Sequence, residues 1–600
     1  MLPSPLSPWK GAPLRVIVAA EKPLEGELSL IAPDGSVVVK SRQRQGGPPY
    51  FWTAEIQSPA AGTWHAKLAR MGCTTTRDII VHAERPAPPD ATAGTVWPVR
   101  NMWNRATENL FSAWVEKLFD DPLDATPSWP ALHVVLRDRS RNFLFNHLGL
   151  GEDEMKMVLR PDCADLPYFL RAYFAFKMGL PFGFSTCSRG GGGKPPQCYH
   201  WFSIQNPEPA ISPPAQELAT RAPAVAHQPL MPASLAPPSA LALKRPGLAG
   251  TFGKFMQTVS DIVHSGTART PLSADNTDYY PVALSQATLR PGVVYADPYG
   301  HVLMIVRRVP QTDGAAGIIL AVDGQPDGTV ARKRFWRGNF LFAQNPALGG
   351  PGFKRFRPIV FANGTLRRLT NAEIAKNPQY ADVSLEQSRL SVEDFYDRMD
   401  DVMSPRPLDP LAAIKDAIDS LDEQVKVRVT SVENGRKFLN RGRGEASMPN
   451  GAAIFETTGA WEDFSTPSRD LRLLIAIDVV RGFPDRVARR PERYAMPAGR
   501  SVAAVKAELQ DVLASELATR KFSYTRSDGS SWTLSLKDVL DRAGDLEMAY
   551  NPNDCVELRW GAAAGSDEAS TCRRHAPSAQ LMKMSQYRPW FHERRRPPRP

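Results

Sequence analysis

Pro161-Asp162-Cys163-Ala164-Asp165-Leu166 opens an apolar run from Tyr168 to Leu180 that closes at Gly179-Leu180-Pro181. Phe169, Leu170, Tyr173, Phe174 and Phe176 make this run apolar nearly all round, which predicts a helix buried in the middle of a domain. A cysteine at the first turn of such a helix meets unpaired backbone N–H groups and the positive end of the helix dipole, and both favour its thiolate. That placement suits a nucleophile. The plainer reading is a small buried hydrophobe, since free cysteine is among the most buried residue types.

A thiol nucleophile needs a base, and the base needs a group that fixes its tautomer. Of the ten histidines, His301 stands out because it follows Gly300 at the head of an apolar strand, Val302 to Val306. Asp323 ends the next strand. Pairing across the turn Gln311-Thr312-Asp313-Gly314 sets the two residues at the same strand ends, where Asp323 can accept the ring N–H of His301. Gln325 is the reserve for that third role. His200, in Tyr199-His200-Trp201, is the rival base. A strand-edge histidine and a turn aspartate are the plain alternatives for His301 and Asp323.

The other cysteines argue for an oxidising compartment. Cys187 and Cys198 bracket a Gly/Pro-rich loop, and Cys555 and Cys572 bracket a Gly/Ser-rich one. Two short-loop disulfides are expected, each worth about 3 kcal/mol, and they leave Cys163 unpaired. No CxxC pair occurs, so zinc is a poor fit, and no cofactor is implied. The N-terminus, Met1-Leu2-Pro3-Ser4-Pro5, lacks a basic segment followed by an apolar one. The expectation is a periplasmic or secreted protein whose signal is not visible in this chain, with a cytoplasmic location as the alternative. No run approaches the roughly 18 to 20 apolar residues that span a bilayer.

Outward from this centre, 600 residues are too many for one core. Residues 12–85 alternate apolar and polar positions in short runs, such as Leu14-Arg15-Val16-Ile17-Val18 and Glu27-Leu28-Ser29-Leu30-Ile31. They predict an all-β sandwich. Its turn Pro59-Ala60-Ala61-Gly62-Thr63-Trp64 resembles those of bacterial immunoglobulin-like modules. Residues 86–100 read as a linker. Residues 101–360 read as an α+β core with an antiparallel sheet, interrupted at 206–247 by a Pro/Ala-rich insertion too poor in large apolar residues to pack. Helices are expected at Asn104 to Leu118, Asn142 to Leu148 and Phe252 to His264, and Ala131 to Leu136 reads as strand or helix. Residues 361–600 read as mainly helical, with helices at Leu411 to Val425, Asp470 to Arg481, Val502 to Leu517 and Leu534 to Leu546. Ile454 to Phe464 reads as a strand and turn, with a ligand-facing loop as the alternative. The net charge of +10 is dispersed, and only the tail at 594–600 is densely basic. Nucleic-acid binding, which wants a basic face interleaved with aromatics, is not expected. Oligomeric state is left open.

Asp162-Cys163-Ala164 before a helix ending at Gly179-Leu180-Pro181, then Leu289-Arg290-Pro291-Gly292 and Gly300-His301-Val302, resembles the NlpC/P60 family of papain-like cysteine peptidases. Members carry a D-C-S/A segment at a helix start, an L-x-P-G-D strand and a G-H-V strand. The resemblance covers about residues 150 to 345. It implies a papain-like core and cleavage of amide bonds in a peptide or peptidoglycan-type substrate, with Cys163 as nucleophile, His301 as base and Asp323 as orienter. The sequence departs from the pattern at Val293, where the family has Asp, and at Asp165, where a small residue is usual. The gap between Cys163 and His301 is also longer than usual. Tyr199-His200-Trp201 resembles the histidine strand of transglutaminase-like enzymes, which would pair Cys163 with His200 in an acyltransferase or peptidase. A non-catalytic surface or wall-binding protein is the third reading. For the oxyanion, the sequence suggests the Cys163 N–H, with Trp103 or Asn104 as candidate side-chain donors.

Overall fold

The computed structural model describes residues 1–70, 72–87, 89, 94–154, 158–207, 247–313, 315–442, 444–455 and 459–597. Most of the Pro/Ala-rich insertion lies outside the described residues.

Eight N-terminal strands, β1 (Leu2–Ser4), β2 (Leu14–Ala20), β3 (Glu27–Ile31), β4 (Val37–Ser41), β5 (Gln45–Gly46), β6 (Tyr50–Ile56), β7 (Gly62–Arg70) and β8 (Cys73–Val81), form two antiparallel four-stranded sheets. Their orders are β1-β2-β6-β5 and β4-β3-β7-β8. Every second residue points into a shared core: Leu14, Val16 and Val18; Leu28 and Leu30; Trp52 and Ala54; Trp64, Ala66 and Leu68. The opposite face of the first sheet is buried too. Leu2, Ile17 and Phe51 join the core of the central region against the helix Arg105–Leu118. Burial on both faces is why β2 is buried from Leu14 to Val18 without alternation.

The central region is a mixed α/β layer structure. A two-residue strand β9 (Ser128–Trp129) precedes a hairpin, β10 (Gly183–Cys187) and β11 (Cys198–Ser203), which the Cys187–Cys198 disulfide ties. Strands β12 (Tyr279–Pro281), β13 (Val294–Ala296), β14 (Val302–Val309), β15 (Ile318–Gly324), β16 (Val330–Arg334) and β17 (Gly352–Phe356) then form an antiparallel sheet with β9, ordered β12-β17-β13-β14-β15-β16-β9. Ala296, Val302, Met304 and Val322 face the helix Asp165–Met178. Tyr295, Leu303, Ile305 and Ala321 face the other way, onto Phe395 and Met399 of the helix Val392–Met403. Period-two side chains thus give the sheet two cores.

All fourteen residues of Asp165–Met178 are buried, including two cations. The Arg171 guanidinium donates to both Glu108 oxygens at 2.9 and 2.6 Å and lies 3.2 Å over the Trp103 ring. Lys177 Nζ donates to Glu152 at 2.5 Å and Asp153 at 2.6 Å. Gly179, at φ 63°, ends the helix in a left-handed turn that only glycine adopts cheaply.

The C-terminal region is mostly helical, with two hairpins. Helices Pro410–Asn440, Pro467–Arg481 and Val502–Thr519 share a fourth core with the hairpin β20 (Lys521–Thr525) and β21 (Ser531–Ser535), after β18 (Ile359–Ala362) and β19 (Thr365–Arg368). Asp409 caps the first of these helices, accepting from Ala412 N at 2.7 Å. Cys555 and Cys572 are disulfide-bonded. Among the described residues, no helix is long and apolar enough to cross a membrane.

Several local expectations are corrected. Residues 142–148 form turns rather than a helix, because buried Asn142 spends its side chain elsewhere. It accepts from Leu144 N and Trp114 Nε1 (both 3.0 Å) and donates to Leu136 O and Tyr173 Oη (both 2.7 Å). Leu534 belongs to β21, and the helix Leu536–Asp541 starts only after Ser535, whose capping box with Asp538 sets the boundary. The described parts of Ile454 to Phe464 are helical: a 3₁₀ turn at Gly451–Phe455 and the helix Gly459–Phe464, with Trp461 Nε1 donating to Ile454 O at 3.1 Å. Within the stretch read as a linker, Val96 and Trp97 are buried, and the Trp97 indole donates to Leu180 O at 2.9 Å.

Replacing Arg171 by Met leaves Glu108 buried with only the longer Arg355 contact at 3.4 Å. The expected loss is about 3 kcal/mol in the unfolding transition of the central region, measured by urea denaturation.

Candidate active site

The turn that carries Cys163 is built by its neighbour. Asp162 Oδ1 accepts from Ala164 N at 2.8 Å and Asp165 N at 2.9 Å, and Asp162 O accepts from Leu166 N at 3.1 Å. Asp162 therefore caps the helix, and Cys163 occupies its opening turn. The sulfur is partly buried and lies 3.8 Å from Gly300 O.

His301 arrives on a tight turn. Asp297 N donates to His301 O at 2.8 Å, Gly300 N donates to Asp297 O at 3.2 Å, and Tyr299 N donates to Asp297 Oδ1 at 2.7 Å. Gly300, at φ 104°, makes the bend. Across the sheet Met304 pairs with Val322, so His301 and Asp323 fall at the same ends of β14 and β15. His301 Nε2 lies 2.8 Å from Asp323 Oδ2, and Asp323 is almost wholly buried. Gln325 Nε2 donates to the same carboxylate oxygen at 2.5 Å, so both residues named for the third role are present, in series.

Gly324 joins these two parts. A Cβ there would lie 2.4 Å from Asp162 O and 2.7 Å from its carbonyl carbon. Any side chain would force the strand end off the cysteine turn.

Electrostatics tie the three groups together. Burial pulls the His301 imidazole down, but the Asp323 charge and hydrogen bond overcome it, with a further hydrogen bond donated to the Cys163 sulfur, and His301 is held up at about 10. Burial holds the Cys163 thiol above its usual range, and the hydrogen bond and charge of His301 offset only part of that rise. With Nε2 taken by Asp323, Nδ1 is the ring nitrogen left for the sulfur. The pair is thus an imidazolium anchored by a buried carboxylate beside a thiol.

His200 is elsewhere. It sits exposed on β11 opposite Thr186 and is not among the groups acting on Cys163. Of the candidate oxyanion donors, Trp103 Nε1 donates to Pro181 O at 2.7 Å, and Asn104 is held by its Oδ1 at the N-terminus of the helix Arg105–Leu118, where it accepts from Ala106 N and Thr107 N. The Cys163 backbone N–H is left for that role, because Asp162 takes up the two N–H groups that follow it. Cys555, Glu557 and Cys572 cluster at metal-like spacing, but both sulfurs are in the disulfide.

Residue-by-residue reading missed three contributors: Asp162 as cap, Gly324 as the close approach, and Glu462 of the helix Gly459–Phe464. Burial pushes the Glu462 carboxyl up to about 7 against Arg469 and Arg596, and it lies close enough to feel the His301 charge. An Asp before Cys163 and a Gly after Asp323 were visible as residue types. Nothing in sequence links Glu462 to His301.

Comparison of the chain with protein-family models, with curated proteins and with solved structures finds no match.

Two outcomes test this geometry. Gly324→Ala should separate the strand end from the cysteine turn and slow alkylation of Cys163 by iodoacetamide at neutral pH by about tenfold or more, read by peptide mass. Asp323→Asn removes the charge that raises His301, so the imidazole titration followed by NMR should fall from about 10 towards the usual range. Because the folded-state value is raised, the pair stabilises in full below about pH 6.5 and loses that contribution as pH rises through about 10. The melting-temperature gap between wild type and Asp323→Asn should therefore narrow between those limits.

Proposed function

We propose that the chain is a cysteine-nucleophile hydrolase that cleaves amide bonds by acyl transfer. The observation that carries this reading is the convergence of Cys163, His301 and Asp323 from a helix start and two strand ends, with His301 Nε2 held 2.8 Å from Asp323. The cysteine-bearing buried helix against an antiparallel sheet, with base and orienter on adjacent strands, supports a papain-like core of the NlpC/P60 kind. The two facing N-terminal sheets support an immunoglobulin-like module.

In this mechanism the Cys163 thiol gives its proton to water under the pull of the His301 positive charge, and the thiolate attacks the amide carbonyl carbon. The oxyanion forms beside the Cys163 backbone N–H. The C–N bond then breaks as the imidazolium gives its proton to the leaving amine, which leaves a thioester. Water, deprotonated by His301, attacks the thioester and releases the acid and the thiol. Asp323 holds the ring throughout, and Gln325 holds Asp323.

The substrate class, a peptide of the cell-wall type, rests on the resemblance, and the two disulfides support a periplasmic or secreted location. No observation favours the His200 acyltransferase reading.

The test is incubation of the full chain with peptidoglycan-derived peptides, with new amino termini read by mass spectrometry. Cys163→Ala should abolish release, and His301→Ala should lower it by about 10²–10⁴-fold. His301→Ala should also slow Cys163 alkylation, because burial and the Asp162 and Asp323 charges then push the thiol up unopposed. Wild-type alkylation no faster than that of His301→Ala would sink the hydrolase reading and favour a structural thiol in a binding protein.

A further inference from the structure

The turn that presents His301 is held from outside the central sheet. Asp297 is buried at its base, with a side chain 1% exposed. One of its carboxylate oxygens accepts the Tyr299 N–H inside the turn. The other lies 3.2 Å from Nη2 of Arg472, on the C-terminal helix Pro467–Arg481. Nη1 of the same guanidinium donates to Gly338 O at 2.8 Å and Asn339 O at 3.0 Å, in the loop after β16. Arg472 therefore bridges the catalytic turn, a neighbouring loop of the sheet region and the C-terminal helices.

A second C-terminal cation closes on the same turn. The Arg596 guanidinium lies 5.4 Å over the Tyr299 ring and 5.0 Å from the Phe455 ring. The Arg596 backbone N–H meets the Tyr299 hydroxyl. Both contacts bear on residues two and four positions before the imidazole.

We infer that the C-terminal region is part of the catalytic machinery, and that Arg472 is a positioning residue which, through Asp297, sets the distance between His301 and Cys163. The inference rests on the Cys–His reading above. Without Arg472 the buried Asp297 carboxylate loses its hydrogen-bonded cation and keeps only the more distant charge of Arg596, and such a charge escapes by protonation or by moving towards water. Either response loosens the Asp297–His301 turn. A displacement of about 1 Å at a reacting group costs up to about 10²-fold in rate. It also explains why a region with no nucleophile of its own packs against the site: it supplies the counter-charge that the sheet lacks.

The experiment uses the full chain and iodoacetamide as probe, following Cys163 by peptide mass from pH 5 to 9. Wild type, R472Q, R472K, D297N, H301A and R489Q are compared, each with a thermal melt. Arg489 also bridges the C-terminal helices to the helix Val392–Met403, through Glu393 at 2.7 Å, but does not touch the turn. The expected result is that R472Q slows alkylation at pH 6 by about tenfold or more and moves the pH profile towards that of H301A. R472K, which keeps a cation beside Asp297, recovers part of the loss, and R489Q matches wild type. Should R472Q melt at a lower temperature, D297N opens the same contact from the turn side and decides the matter by the same shift. An R472Q or D297N profile identical to wild type overturns the inference, as does equal slowing in R472Q and R489Q. A wild-type thiol no more reactive than that of H301A instead overturns the hydrolase reading itself.

Discussion

The Asp162 carbonyl rests against Gly324 in a space that would leave a Cβ only 2.4 Å from the oxygen. Through this contact the end of a helix and the edge of a sheet meet as backbone on backbone. The sulfur, the imidazole and the carboxylate come from three separate segments, and each is placed only to the precision of its own support. The glycine lets those supports touch. Asp162 then serves twice, as the neighbour of the strand end and as the cap that orients the cysteine turn.

The buried helix behind Cys163 provides the rigidity that such a site needs. Its two interior cations are each paired with carboxylates, so the helix is fixed by directional contacts as well as by packing. Removing one partner from such a pair is far more costly than the pair is worth against a hydrophobic substitute. A helix with no freedom to slide gives its first turn a defined position. Trp97, Phe252 and Phe255 gather beside Phe176 of the same helix and draw the end of the apparent linker into the core.

Much of this architecture was legible from local pattern. Strand alternation marked the N-terminal sheets, the all-apolar run marked the central helix, and helical spacing over Leu411 to Val425 marked the first half of the long C-terminal helix Pro410–Asn440. Cysteine spacing across Gly-rich loops anticipated both disulfides. Three of the misreadings have a common cause. Asn142, Ser535 and Trp461 each make a specific hydrogen bond that turns the backbone where hydrophobic periodicity would carry it straight on. Periodicity sums over many residues, whereas one buried polar side chain acts at a single point.

The sequence by itself determined which residues have the chemistry: a thiol at a helix start, an imidazole at the head of a strand, and a carboxylate at the end of the next. Strand pairing with a period of two put the last two on the same edge. Only the tertiary structure decided between His301 and His200, because the hairpin carrying His200 projects that ring into solvent while the sheet turns His301 towards the sulfur. Only the tertiary structure, too, brought Arg472, Glu462 and Arg596 near the His301 turn. Those residues lie more than 160 positions beyond His301, and contacts made across such separations leave no local periodicity behind.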